Sequence, residues 1–159
     1  MNKARKDRRA DFSRGRRCLE EAMILRVRFQ EVDSMRIVWH GHYFTYFEEA
    51  RQAFGRRYDL DYPVFLDNGL AAPLVHFWID FLAPARMNDE LTVVARLFES
   101  EGAELRFGYV LKRSAEDKVM ATGGSIQVFT TLQGELILTP PPLMQERYRQ
   151  WADLWKEQS

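Results

Sequence analysis

Over residues 22–29 apolar and polar positions alternate. Met23, Leu25, Val27 and Phe29 fall on one side, Arg26 and Arg28 on the other. A period of two predicts a half-buried strand. Residues 30–41 break the alternation and predict a loop. From Tyr43 the period lengthens: Tyr43, Phe47, Ala50 and Phe54 recur at helical spacing, and Phe44 and Tyr46 widen the apolar surface. That much aromatic area predicts a long helix covered on most sides. Gly55 near its end predicts close approach of a strand. Residues 59–73, punctuated by Pro63, Asn68-Gly69 and Pro73, read as a connector, and long connectors often border binding sites.

From Leu74 onward strand follows strand. Val75, Phe77, Ile79 and Phe81 alternate with His76, Trp78 and Asp80. Residues 90–99 and 104–112 predict a hairpin turning at Ser100-Glu101-Gly102. Residues 119–130 predict the last long strand, with Gly123-Gly124 marking a bulge or a close contact. Residues 132–138 add a short hairpin, and Leu143, Arg147, Trp151 and Leu154 mark a short C-terminal helix after Pro140-Pro141-Pro142. One aromatic helix followed by consecutive antiparallel strands is an α+β arrangement. The open edges of such a sheet predict pairing with further copies of the chain.

Composition narrows the function classes. A chain of 159 residues with 23 Lys and Arg against 23 Asp and Glu has no net charge, so the whole protein has no strong pull toward nucleic acid or an anionic membrane. The basic residues crowd the start: Lys3, Arg5, Lys6, Arg8, Arg9, Arg14, Arg16 and Arg17. Residues 1–21 therefore read as a basic, flexible arm before a domain spanning 22–159. The arm offers a hook for a polyanion such as RNA or coenzyme A phosphates, but Asp7, Asp11, Glu20 and Glu21 interrupt it, and nucleic acid is not expected as a partner. Cys18 is the only cysteine, which excludes an intramolecular disulfide and fits a reducing compartment. No apolar run reaches membrane-spanning length, so a soluble, cytoplasmic protein is expected.

The candidate chemistry sits between strand and helix. Asp33 lies in the loop just upstream of the helix start. Helix N-terminal amides lack partners within the helix and favour an anion or a polarised carbonyl. A carboxylate beside them suits attack on, or hydration of, an acyl group; the plainer role for such an aspartate is to cap a turn. Glu48 and Glu49 are rival carboxylates on the helix. His40, His42 and His76 with one cysteine form no metal-ligand spacing, and no nucleophile elbow, phosphate loop or dinucleotide fingerprint is present.

The run Val27-Arg-Phe-x-Glu-Val-Asp33-x-Met-x-Ile-Val-Trp39-His40-Gly41-x-Tyr43, continued by Phe47-Glu48-x-Ala50-Arg51, resembles the signature of hotdog-fold acyl-CoA thioesterases, in the branch of 4-hydroxybenzoyl-CoA thioesterase. Pro73-Leu74-Val75-His76 and Pro84-x-Arg86-x-x-Asp89 extend the likeness. It implies one long central helix wrapped by a curved antiparallel sheet of five to six strands, plus a short C-terminal helix. It implies an acyl-CoA substrate (an acyl carrier protein ester is the alternative carrier), no cofactor, no metal, and a homodimer or homotetramer. Asp33 takes the place of the catalytic carboxylate, as nucleophile or general base. The backbone N–H of His40 takes that of the group polarising the thioester carbonyl. Substrate contacts are expected from Arg36, Trp39, His42, Tyr43, Phe47 and Glu48. This chain departs from the family at Arg36, where glycine is usual, and at His42, where asparagine is usual. An alternative reading on the same fold is a non-hydrolytic acyl-binding or scaffold protein.

Overall fold

The computed structural model describes residues 12–158. The helix α1, His40–Arg57, is the longest helix among the described residues, and it presents Tyr43, Tyr46, Phe47, Ala50 and Phe54 to the sheet, each at most 2 % exposed. Phe47 stacks on Tyr109 with ring centroids 4.8 Å apart, and Phe54 meets Phe107 edge-on at 5.1 Å. These contacts hold the helix against the inner face of the sheet, beside Leu91, Val93, Leu97, Leu105 and Leu111.

The sheet has seven strands: β1 (Cys18–Arg26), β2 (Leu70–Ala71), β3 (Leu74–Phe81), β4 (Glu90–Phe98), β5 (Glu104–Arg113), β6 (Lys118–Thr131) and β7 (Leu136–Ile137). The long strands run in the order β1-β4-β5-β6, all antiparallel, with β3 on the far side of β6. This is the α+β hotdog architecture, with seven strands where five to six were expected, because β2 and β7 are two-residue strands that pair with β6. Two shorter helices follow α1, α2 (Tyr62–Asp67) and α3 (Pro142–Gln150). Leu143 and Met144 of α3 and the following Trp151 and Trp155 are buried. Among the described residues no helix is long and apolar enough to cross a membrane.

Several expectations shift. The first strand starts at Cys18, so residues 18–21 belong to the sheet; the remainder of the expected arm is described only from Phe12, and residues 1–11 lie outside the described part. Phe12 is buried against Trp78 and Phe98. The strand also ends early. The Arg28 N–H donates to the Glu31 carboxylate at 2.8 Å, which closes a 3-10 turn over Phe29–Glu31 and leaves Phe29 80 % exposed, out of line with the inward face. The connector 59–73 holds α2, capped by the Asp61 side chain, and β2. Gly55 approaches the returning backbone at Leu60 and Asp61, not a strand. The Gly123-Gly124 pair is a close contact and not a bulge: a Cβ at Gly123 would lie 2.6 Å from the Trp78 carbonyl oxygen and 2.7 Å from the Phe47 ring. The register shifts occur elsewhere, at Leu111/Lys112 and at Leu74/His76.

Candidate active site

The loop between β1 and α1 is a small, well-tied hairpin. Val32 and Val38 form an antiparallel bridge. Within it the Asp33 N–H donates to Ile37 O and the Arg36 N–H to Asp33 O, both at 2.9 Å. Beyond it the Val38 N–H donates to Ala85 O at 2.8 Å and the Trp39 N–H to Glu31 O at 2.9 Å. The loop backbone is thus held at Asp33, Arg36, Val38 and Trp39, and the bridge closes the hairpin just before the helix start.

Asp33 is half-buried, and its Oδ1 accepts the Met35 N–H at 2.8 Å. That is the turn-capping geometry short polar side chains favour. Its Oδ2 has no hydrogen-bond partner among the described residues. Arg36 adopts φ +62°, the left-handed conformation the family's glycine suits, so the turn keeps its shape despite the side chain. The Arg36 guanidinium is exposed and without an ion-pair partner among the described residues.

Helix α1 begins with Trp39 as N-cap, and no side chain caps its first turn. The His42 N–H donates back to Trp39 O at 3.0 Å. The N–H groups of His40 and Gly41, which point out of a helix start, have no partner within the helix. The Trp39 indole folds over Gly41: a Cβ at that position would lie 2.0 Å from the ring. Its ring centroid is 4.9 Å from His40 and 5.6 Å from His42. Trp39 is 48 % exposed, so this ring cluster at the helix start is accessible.

Trp39, His40 and His42 thus cluster at the start of α1, and Asp33 and Arg36 lie in the hairpin that leads into it. Tyr43 and Phe47 point the other way, into the core. The Tyr43 hydroxyl accepts the Ala85 N–H at 3.0 Å, a bond that fastens the next loop under the site, and burial pushes its pKa up. Glu48 lies two turns further along and is ion-paired with Arg51. Glu31, not anticipated, has a buried carboxylate only 4 % exposed that braces the loop through Arg28 and lies against Tyr46, whose hydroxyl pKa is raised by burial and by that carboxylate. Its signal in the sequence was the three-residue spacing from Arg28, a capping box without the usual Ser or Thr. Among the described residues no three His, Cys, Asp or Glu side chains converge as a metal site would require.

A cleft of about 980 Å³ opens further down α1, between its C-terminal half, α2, β2 and the β6–β7 turn. Leu60, Phe65, Ala72 and Pro73 give it apolar walls, while Arg51 and Gln127 supply polar ones.

Comparison with known proteins agrees with the geometry. A family model described as the thioesterase-like superfamily matches residues 27–149. A protein of Aquifex aeolicus whose name places it among esterases is 35 % identical over 86 residues, 54 % of this chain and 67 % of that protein. A solved structure from Thermus thermophilus is 30 % identical with a TM-score of 0.70, over 84 % of this chain and 98 % of that one. A 1,4-dihydroxy-2-naphthoyl-CoA thioesterase from Synechocystis shares the fold, with a TM-score of 0.72 at 21 % identity over 80 % of this chain and 93 % of that one. The family model spans most of the chain, so this chain belongs to the thioesterase-like superfamily and is a thioester hydrolase of hotdog fold.

Proposed function

We infer that the protein hydrolyses acyl-CoA thioesters at the N-terminal end of α1. The observation that carries this is the uncapped helix start, with the His40 and Gly41 amides unpartnered, set beside a carboxylate with one free oxygen. The thioester carbonyl accepts the His40 N–H, and the developing oxyanion accepts it more strongly, so the amide lowers the barrier. Asp33 takes a proton from water as the water oxygen adds to the acyl carbon. The tetrahedral intermediate then expels coenzyme A, whose sulfur recovers that proton from Asp33. If Asp33 attacks directly, an acyl anhydride forms and water cleaves it in a second step; the residues and the net reaction are the same. Trp39 and His42 flank the thioester, and Arg36 offers a cation to the coenzyme's phosphates.

The strand β3 has no partner beyond β6 among the described residues, and Val75 and Phe81 on it are 58 % and 53 % exposed. We assign this edge to self-association as a dimer or tetramer, in which acyl groups bind along α1.

Asp33→Asn tests the chemistry. Asparagine keeps an Oδ1 acceptor for the Met35 N–H, so the turn survives while the charge is lost. Thiol release from a panel of acyl-CoA esters should fall about a hundredfold or more, at unchanged circular dichroism. Near-native turnover by a folded variant overturns the role of Asp33. The Met35 bond favours one competing reading, a non-hydrolytic acyl-binding protein in which Asp33 only shapes the turn; it predicts tight acyl-CoA binding and no turnover by the native protein.

A further inference from the structure

No side chain caps the start of α1, so the direction of the His40 N–H is set by other contacts. The bonds around it close into a ring. The Val38 N–H, two residues before His40, donates to Ala85 O at 2.8 Å. The Ala85 N–H donates in turn to the hydroxyl oxygen of Tyr43, three residues after His40, at 3.0 Å. Ala85 is fully buried, and both of its polar backbone groups are engaged on the two flanks of the helix start.

The loop that carries Ala85 is a firm support. Arg113 on β5 donates to Pro84 O at 3.3 Å and pairs with the Asp89 carboxylate at 3.0 Å. That carboxylate accepts the Arg86 N–H at 2.9 Å. Asp89 O accepts the Val27 N–H at 3.0 Å, and the Asn88 N–H donates to Val27 O at 3.1 Å. The loop is thus tied both to β5 and to the residue that follows β1. Tyr43 completes the ring from the helix side. It is 2 % exposed, and the Phe81 ring packs edge-on against it at 5.0 Å. Its hydroxyl is the one side-chain atom in the ring of bonds. Tyr43 was expected to touch substrate, but its hydroxyl is committed to Ala85 in the core.

Resting on the thioesterase reading above, we propose that Tyr43 is a positioning residue: its hydroxyl closes the ring of bonds that aims the His40 N–H at the thioester carbonyl. Without that acceptor the Ala85 peptide loosens, Val38 follows it, and the first turn of α1 shifts. A shifted donor matters most where charge develops on the carbonyl oxygen, so the rate suffers more than substrate binding. A misplacement of about 1 Å costs up to about a hundredfold in rate.

The test compares the full native chain with Tyr43→Phe and Met144→Ala. Phenylalanine keeps the ring and its packing and removes only the acceptor. Met144, on α3, is 1 % exposed and lies outside the ring of bonds, so its truncation destabilises the protein by another route. Two quantities are read below the unfolding transition: hydrogen exchange of the Val38 amide by NMR, relative to the amides of β5, and thiol release from acyl-CoA esters. Tyr43→Phe should speed the relative exchange of Val38 about tenfold or more. It should lower kcat about tenfold to a hundredfold and leave KM within about twofold. Met144→Ala should keep native values of relative exchange, kcat and KM. Native kcat in a folded Tyr43→Phe protein, or an equal loss in Met144→Ala, overturns the positioning role. A raised KM at constant kcat also overturns it, because that marks a substrate contact. Faster Val38 exchange in Tyr43→Phe, when the native protein cleaves no ester, upholds the ring and refutes the thioesterase reading. Unchanged exchange with turnover by the native protein does the reverse.

Discussion

Arg36→Gly isolates one of the two positions, with His42, where this chain leaves the pattern its sequence resembles. Arg36 has φ +62°, in the left-handed region, where a residue with a Cβ pays about 1–2 kcal/mol. The side chain is exposed and makes no ion pair among the described residues, so removing it forfeits no contact there. The hairpin that imposes the conformation is held from both sides, by Asp33 N–H to Ile37 O and Arg36 N–H to Asp33 O. Glycine relieves the strain and loses about 0.5–1 kcal/mol through the greater freedom of its unfolded chain. The net expectation is a gain of about 1 kcal/mol, or a rise in Tm of about 2–4 °C for a chain of this size. Arg36→Ala is the control. Alanine keeps the Cβ and the strain, so it should stay within about 0.5 kcal/mol of the native protein. Urea unfolding followed by circular dichroism reads all three. A glycine variant no more stable than the alanine variant refutes the argument that the turn imposes strain on Arg36. The same pair reports on function. If Arg36 meets the coenzyme's phosphates, both variants raise KM, and the salt dependence of KM flattens as the charge is lost.

Other perturbations test the supports of the site. Gly41→Ala places a Cβ where the Trp39 ring lies, 2.0 Å from its nearest atom, so the indole must swing off the helix start; the fold should persist while KM rises, and unchanged kinetics would remove Trp39 from the substrate site. Gly123→Ala meets the Trp78 carbonyl oxygen at 2.6 Å, which is backbone and cannot yield cheaply, and should destabilise the protein by about 1–3 kcal/mol in urea unfolding. Glu31→Ala leaves the part-buried Arg28 N–H without its acceptor and should cost about 1 kcal/mol, with Glu31→Gln recovering part of it in the same assay. Burial raises the hydroxyl pKa of Tyr43, Tyr46 and Tyr109. A raised folded-state pKa contributes stability that is whole below the ordinary phenol value of about 10 and is lost as pH climbs above it. Unfolding free energy should therefore be flat on this account below that value and fall beyond it, in step with phenolate absorbance.

What could be read in the sequence was what local pattern encodes. The aromatic residues of α1 recur every three or four positions, and the structure buries that face. The long strands follow their alternation, apart from their ends. The ends escaped because specific side chains set them. The first strand stops where the Glu31 carboxylate captures the Arg28 N–H, a bond that outweighs the alternation running on to Phe29. The helix starts at His40, three residues before its apolar period, because the bridge between Val32 and Val38 and the Trp39 N–H to Glu31 O bond deliver the chain there. The glycine pair in β6 announced a close contact but not its partner, since Phe47 and Trp78 come from elements far away in the chain.

The same distinction separates the proposed chemistry from its support. Asp33, Arg36, Trp39, His40 and His42 fall within ten positions, so a signature can hold them together. Their support is spread over the fold: Tyr43 fastens the following loop through the Ala85 N–H, and Gly123, on a strand distant in the chain, leaves room for the Phe47 ring. The loop and the helix start are covalent neighbours and are legible locally, whereas the packing beneath them is not. It follows that Gly123→Ala should act on stability first, while Asp33→Asn should lower the rate for every thioester at unchanged circular dichroism.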